Sequence, residues 1–124
     1  MLVGLLRNNK DALSKIKLLL DNNAELFTSS INLHELVKGA NLSNDTMKNT
    51  AKVDELMQTV SILPFDRKCA AISGKISAKK EIRAKPIGQN DIFIAAVAIN
   101  YNLILVTRNK KHFEPIENLK IEVW

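Results

Sequence analysis

The sequence predicts an α/β domain built on a mostly parallel sheet. Two patterns carry that expectation. Short runs rich in β-branched, aromatic and aliphatic residues alternate with longer segments of helical periodicity. One of those runs, LILV at 103–106, is apolar without a break, as strands buried on both faces of a parallel sheet are. Crossovers in such a sheet are right-handed, and binding sites lie at the carboxyl ends of its strands.

The elements follow in order. Residues 11–20 put Leu13, Ile16 and Leu20 on one helical face, and Asp21, Asn22 and Asn23 end that helix with turn chemistry. LFTSSI at 26–31 reads as a short strand. NLHELVKG at 32–39 reads as a helix with Asn32 as N-cap and Gly39 as C-terminal stop. Another helix starts at Asn44 and Asp45, with Val53, Leu56, Met57 and Val60 along one stripe. SIL is a short strand closed by Pro64, and Asp66 is the expected N-cap of a helix carrying Cys69, Ile72 and Ile76. A basic stretch from Lys79 to Lys85 precedes Pro86 and Gly88. Residues 91–100 form a helix that is apolar almost all round, so burial is expected. After LILV come a helical turn near Lys110 to Phe113 and a last strand, KIEVW.

Composition narrows the function classes. A chain of 124 residues has room for one domain and one core. Eighteen basic against 13 acidic residues give a net charge of +5, a mild invitation to polyanions that solubility alone also explains. Hydrophobic residues make up 46 % and charged residues 25 %, the balance of a globular protein rather than a collagen-like or disordered one. The longest apolar run, Ile92 to Ile99, is far short of the ~20 residues of a membrane helix. No secretion signal is visible, and the single Cys69 cannot form an internal disulfide, which fits a cytoplasmic location.

The acidic residues are the informative ones. Cys69 lies in line with Ile72 and Ile76 and reads as packing, while His34 and His112 do not form a zinc-spaced pair. No glycine-rich phosphate loop is present. Glu35 is expected in the first turn of the helix that follows the 26–31 strand. Asp91 opens the buried helix, directly before eight apolar residues. A carboxylate in such surroundings must be paired or bind a metal. Each one alone is explained more simply as a helix-start acid favoured by the macrodipole. Asp11, Asp45 and Asp66 read as caps or turn residues, and Asp54 and Glu55 as a solvated face.

Read together, whole phrases of the chain resemble PIN domains of the VapC toxin type. SSINLHELVKGA resembles their strand-then-helix phrase with an early acid, and ILPFD the phrase two helices later. PIGQNDIFIAAVAINYNLILVTRNKKHFEPI resembles their Gly-x-x-Asp helix followed by a strand ending in Thr-x-Asn or Thr-x-Asp. The resemblance implies a three-layer α/β/α sandwich over residues 1–124, with strand order 3-2-1-4-5. It implies a metal-dependent single-strand endoribonuclease, the toxin of a toxin–antitoxin pair. Carried over residue by residue, Glu35 matches the second acid and Asp91 the third, as ligands of Mg²⁺ or Mn²⁺, hard cations that favour carboxylate oxygen. Asn109 stands where some members have Asp and joins them as a catalytic candidate. Thr107, Arg108, Lys110 and Lys85 are candidate RNA contacts. His112 stands where many members have Asp before Phe. A cognate antitoxin and a homodimer are further implications, and no membrane is.

The resemblance has one gap. LVGLLRNN matches the stretch that follows the family's first acid. The first strand and its Asp are therefore expected to be missing, with four strands around a vacancy or a swapped segment filling it. A late start site, a shortened chain and a decayed gene are the competing explanations. Loss of that acid would impair cleavage. The rival reading is a non-catalytic module that binds an antitoxin or RNA. A nucleotide-binding flavodoxin-like domain ranks lower, since it lacks a phosphate loop.

Overall fold

Ser29 sets the start of the first long helix. Its backbone is extended and its side-chain oxygen accepts from the Asn32 N–H at 3.0 Å, and Asn32 Oδ1 in turn accepts from the Ser29 N–H and hydroxyl. This reciprocal capping box places Ser29 at the cap and Asn32 in the first turn. The computed structural model describes residues 2–3 and 17–123. Its sheet contains β1 (Leu2–Val3), β2 (Phe27–Ser29), β3 (Ser61–Leu63), β4 (Ile104–Thr107) and β5 (Lys120–Val123). The helices are α1 (Ser30–Leu42), α2 (Thr46–Met57), α3 (Arg67–Ala78), α4 (Lys80–Ala84), α5 (Gln89–Asn100) and α6 (Lys110–Phe113). Residues 17–21 are also helical; the rest of the expected 11–20 helix, and the end of KIEVW at Trp124, lie outside the described residues.

All strand pairings are parallel, in the order β3-β2-β1-β4-β5. The expected vacancy is not there. Leu2–Val3 occupies the centre, with Leu2 opposite Phe27 on one side and Leu105 on the other, and Val3 opposite Val106. The reason is backbone chemistry: β2 and β4 each need hydrogen-bonding partners on that side, and two aliphatic residues with free backbone groups supply them. This corrects the expectation that the chain offers no strand of its own for the slot. Neither residue of β1 is acidic, so the central strand brings no carboxylate.

Helix boundaries also differ from the sequence expectations, for local reasons. The capping box starts α1 two residues before 32, and Gly39 lies inside the helix, which runs on to Leu42. Its backbone keeps a helical, negative φ, so it does not act as a stop. Asp45 and Asp66 cap α2 and α3 by accepting from the Lys48 and Cys69 N–H groups. The basic stretch, read without secondary structure, contains the short helix α4.

The core gathers around α5. Ala95, Ala96, Val97 and Ala98 are fully buried, and Ile92 and Ile94 nearly so. Small side chains let α3, α1 and the sheet approach this helix closely. Leu105 of β4 completes this cluster with Cys69, which packs as expected, while Val106 is buried on the opposite face of the sheet. Asn102, at φ 53°, ends α5: its N–H bonds Ile99 O and the Leu103 N–H bonds Ala98 O at 2.8 Å. This left-handed C-terminal motif turns the chain directly into β4. Among the described residues no helix is long and apolar enough to cross a membrane.

Candidate active site

In a parallel sheet, each helix runs back antiparallel to the strand before it. The chain leaves β2 into α1 and β4 into α6 at the carboxyl edge of the sheet. It enters β4 from the far end of α5, so the N-terminus of α5 lies at that same edge. Glu35, Asp91, Thr107, Arg108, Asn109, Lys110 and His112 therefore all belong to segments that begin or end there.

The closest side-chain meeting is between Asp91 and His112. Asp91 Oδ2 lies 2.8 Å from His112 Nε2, and both side chains are partly exposed. Asp91 is the third residue of α5 rather than its opening one, because Gly88 takes the cap. A Cβ at position 88 would stand 3.6 Å from Asp91 Oδ2, an ordinary contact, so the cap lies beside that oxygen. His112 is carried by α6, and its ring meets Phe113 edge-on at 5.2 Å. Burial of Phe113 fixes this helical turn against the core.

Glu35 is in the second turn of α1, not the first as expected, because the helix begins at Ser30. The α1 and α5 helices pack against each other. Among the described residues, buried Glu35 Oε1 finds no hydrogen-bond partner, and neither does Asn32 Nδ2, three residues earlier. Among the described residues, no three His, Cys, Asp or Glu side chains form a ready metal cluster. Asn109 is exposed, and its backbone N–H bonds Thr107 Oγ1 at 3.1 Å, which shapes the turn after β4. Arg108, Lys110 and Lys85 are exposed, the first two following β4 and the last preceding α5.

The donor chemistry of these residues fits a divalent cation. A desolvated carboxylate oxygen with no donor is costly, and a cation is one partner that would satisfy it. Glu35 Oε1 is such an oxygen, and Asp91 offers a second, partly exposed carboxylate.

The PIN domain family pattern matches residues 1–118. The chain belongs to the PIN-domain family. As a PIN domain it is 37 % identical over 111 residues to "Ribonuclease VapC2" of Rickettsia felis, covering 90 % of this chain and 82 % of that protein. It is 32 % identical over 103 residues to "tRNA(fMet)-specific endonuclease VapC" of Shigella flexneri, covering 83 % and 78 %. The crystal structure of VapBC2 from Rickettsia felis bound to a promoter DNA fragment matches with a TM-score of 0.85 at 31 % identity, over 100 % of this chain and 99 % of that one. The α/β/α fold and the strand order expected from the PIN resemblance are thus present. The residue that sequence reasoning left without a role in this PIN domain is His112. The signal was its place before Phe113, where an acid was expected. Asn32 was read only as a cap, and nothing in the sequence marked its second amide atom as unpartnered.

Proposed function

We propose that this chain is a metal-dependent endoribonuclease of the VapC type, the toxin half of a toxin–antitoxin pair, acting in the cytoplasm. The observation that carries the metal reading is Glu35 Oε1, a buried carboxylate oxygen without a donor, on a helix packed against the one that carries Asp91. A bound Mg²⁺ or Mn²⁺ would supply positive charge to the scissile phosphate and lower the pKa of the attacking water. Glu35 and Asp91 hold the cation, and Asn109 orients a water or phosphate oxygen at the rim. Thr107, Arg108, Lys110 and Lys85 draw and position the RNA backbone, since phosphate contacts of this kind fix placement rather than sequence. Among the described residues β1 brings no carboxylate, so the cation reading rests on Glu35 and Asp91.

A cognate antitoxin and pairing of two copies of the chain complete the proposal; solved VapBC relatives support the first of these. A second reading, a PIN module that binds RNA or antitoxin without cutting, is favoured by the acid-free β1. Incubating the purified chain with initiator tRNA and with total RNA, in Mn²⁺, Mg²⁺ or EDTA, separates the two. Slow cleavage in Mn²⁺ that EDTA stops supports the nuclease. Binding without cleavage in every condition supports the module.

A further inference from the structure

We propose that His112 is a ligand of the same cation as Asp91, and that its imidazole turns the site toward transition-metal ions over Mg²⁺. This rests on the reading of Asp91 as a metal ligand. The geometry comes first. Two neighbouring ligand atoms on a six-coordinate ion with bonds near ~2.1 Å stand about 3 Å apart. His112 Nε2 and Asp91 Oδ2 are 2.8 Å apart, a hydrogen-bond distance in the absence of an ion, and a small separation of the two side chains brings both within reach of one cation. The pair comes from two separate elements, α5 and α6, each anchored in the core by buried neighbours: Ile92 beside Asp91 and Phe113 beside His112. Their meeting is therefore set by the fold.

The chemistry follows from the donor set. Without a cation, Nε2–H donates to the carboxylate. With the ring proton on Nδ1, the Nε2 lone pair faces the space that Oδ2 also faces. Carboxylate and water oxygens suit Mg²⁺ and Mn²⁺, whereas imidazole suits Zn²⁺, Fe²⁺, Co²⁺ and Ni²⁺. One nitrogen among oxygens favours ions later in the first row and penalises Mg²⁺ most. Two protein ligands with the remaining positions left to water and phosphate is an ordinary way to hold such an ion at a phosphoryl-transfer site.

The test uses the full chain loaded with Mn²⁺ and read by pulsed electron paramagnetic resonance, which detects a directly bound nitrogen as a ¹⁴N coupling. Wild type should show that coupling; His112→Ala and His112→Asp should bind Mn²⁺ without it. Calorimetric titrations should show the Mn²⁺-over-Mg²⁺ preference of wild type falling about tenfold or more in His112→Asp. Circular dichroism confirms that each variant is folded, and His112→Gln serves as a second variant if His112→Ala is not. Mn²⁺ bound by wild type with no ¹⁴N coupling would overturn the proposal, as would an unchanged ion preference in His112→Asp. Undiminished Mn²⁺ affinity in Asp91→Asn would instead overturn the reading of Asp91 on which it rests. Absence of any Mn²⁺ binding would sink both.

Discussion

Asn32 and Glu35 stand three residues apart on α1, each with one buried polar atom that has no hydrogen-bond partner among the described residues. The orphan on Asn32 is a donor and the orphan on Glu35 an acceptor, yet they do not bond to each other. The reason lies with Ser29, which engages Asn32 Oδ1 from both its N–H and its hydroxyl and so fixes which way the amide faces. A cap that starts a helix thereby fixes the amide of a residue one turn before the candidate metal carboxylate.

Asn32→Ala should remove the capping box and cost about 1 kcal/mol of stability, read as a lower urea midpoint. Asn32→Asp should cost more. It would put a second unpaired carboxylate oxygen in the same buried space, a penalty of about 1–3 kcal/mol. If Asn32→Asp proves as stable as wild type at neutral pH, the space is wetter than the structure indicates.

The place of β1 at the centre of the sheet gives a contrast between strands. Val3→Pro takes a donor out of a strand paired on both sides, and Val123→Pro does so on the edge strand β5. Proline is tolerated at edges and not in sheet centres. Val3→Pro should lower the thermal midpoint far more than Val123→Pro. Equal small effects would mean that β1 contributes little to the sheet in solution.

Packing around α5 should follow cavity energetics. Ile94 is 2 % exposed, in the middle of the buried helix. Ile94→Val should cost about 0.5–1.5 kcal/mol and Ile94→Ala about 2–5 kcal/mol, measured by chemical denaturation.

Asp66 gives a pH dependence with a defined sign. The Cys69 N–H, which bonds its carboxylate at the start of α3, holds its pKa below the ordinary carboxylate value, with Tyr101 adding to the effect. A carboxylate depressed by folding contributes stability above its unfolded pKa, near ~3.9, and loses it as pH falls through the folded value. The difference in urea midpoint between wild type and Asp66→Asn should therefore be largest near neutrality and shrink in acid. A difference that is constant across that range would remove the charge from the explanation and leave only the cap.

Much of the fold was legible because its signals are local. Alternating patterns gave the order of strands and helices, Asp45 and Asp66 announced their caps, and the unbroken apolar run before Asn100 marked the buried helix. Other features depend on partners far away in sequence. Leu2–Val3 beside β2 and β4 becomes a strand only because those strands need partners, which no local pattern reveals. Ser29 outcompeted Asn32 for the cap because the reciprocal bond needs both residues. The candidate acids could be read from the phrases around them. His112 could not be given a role, because its meeting with Asp91 across 21 positions is made by the tertiary packing of α5 and α6.

The central claim is that Glu35 and Asp91 serve one cation. A calorimetric Mn²⁺ titration of wild type, Glu35→Gln, Asp91→Asn and the double variant tests it most directly. Both substitutions keep shape and remove charge, so the fold should survive. The account predicts weak single-site binding in wild type, lost or cut at least about tenfold in each single variant, with the double variant no worse than the poorer single one. Full binding in both single variants, or losses that simply add as they would for two separate sites, would contradict it.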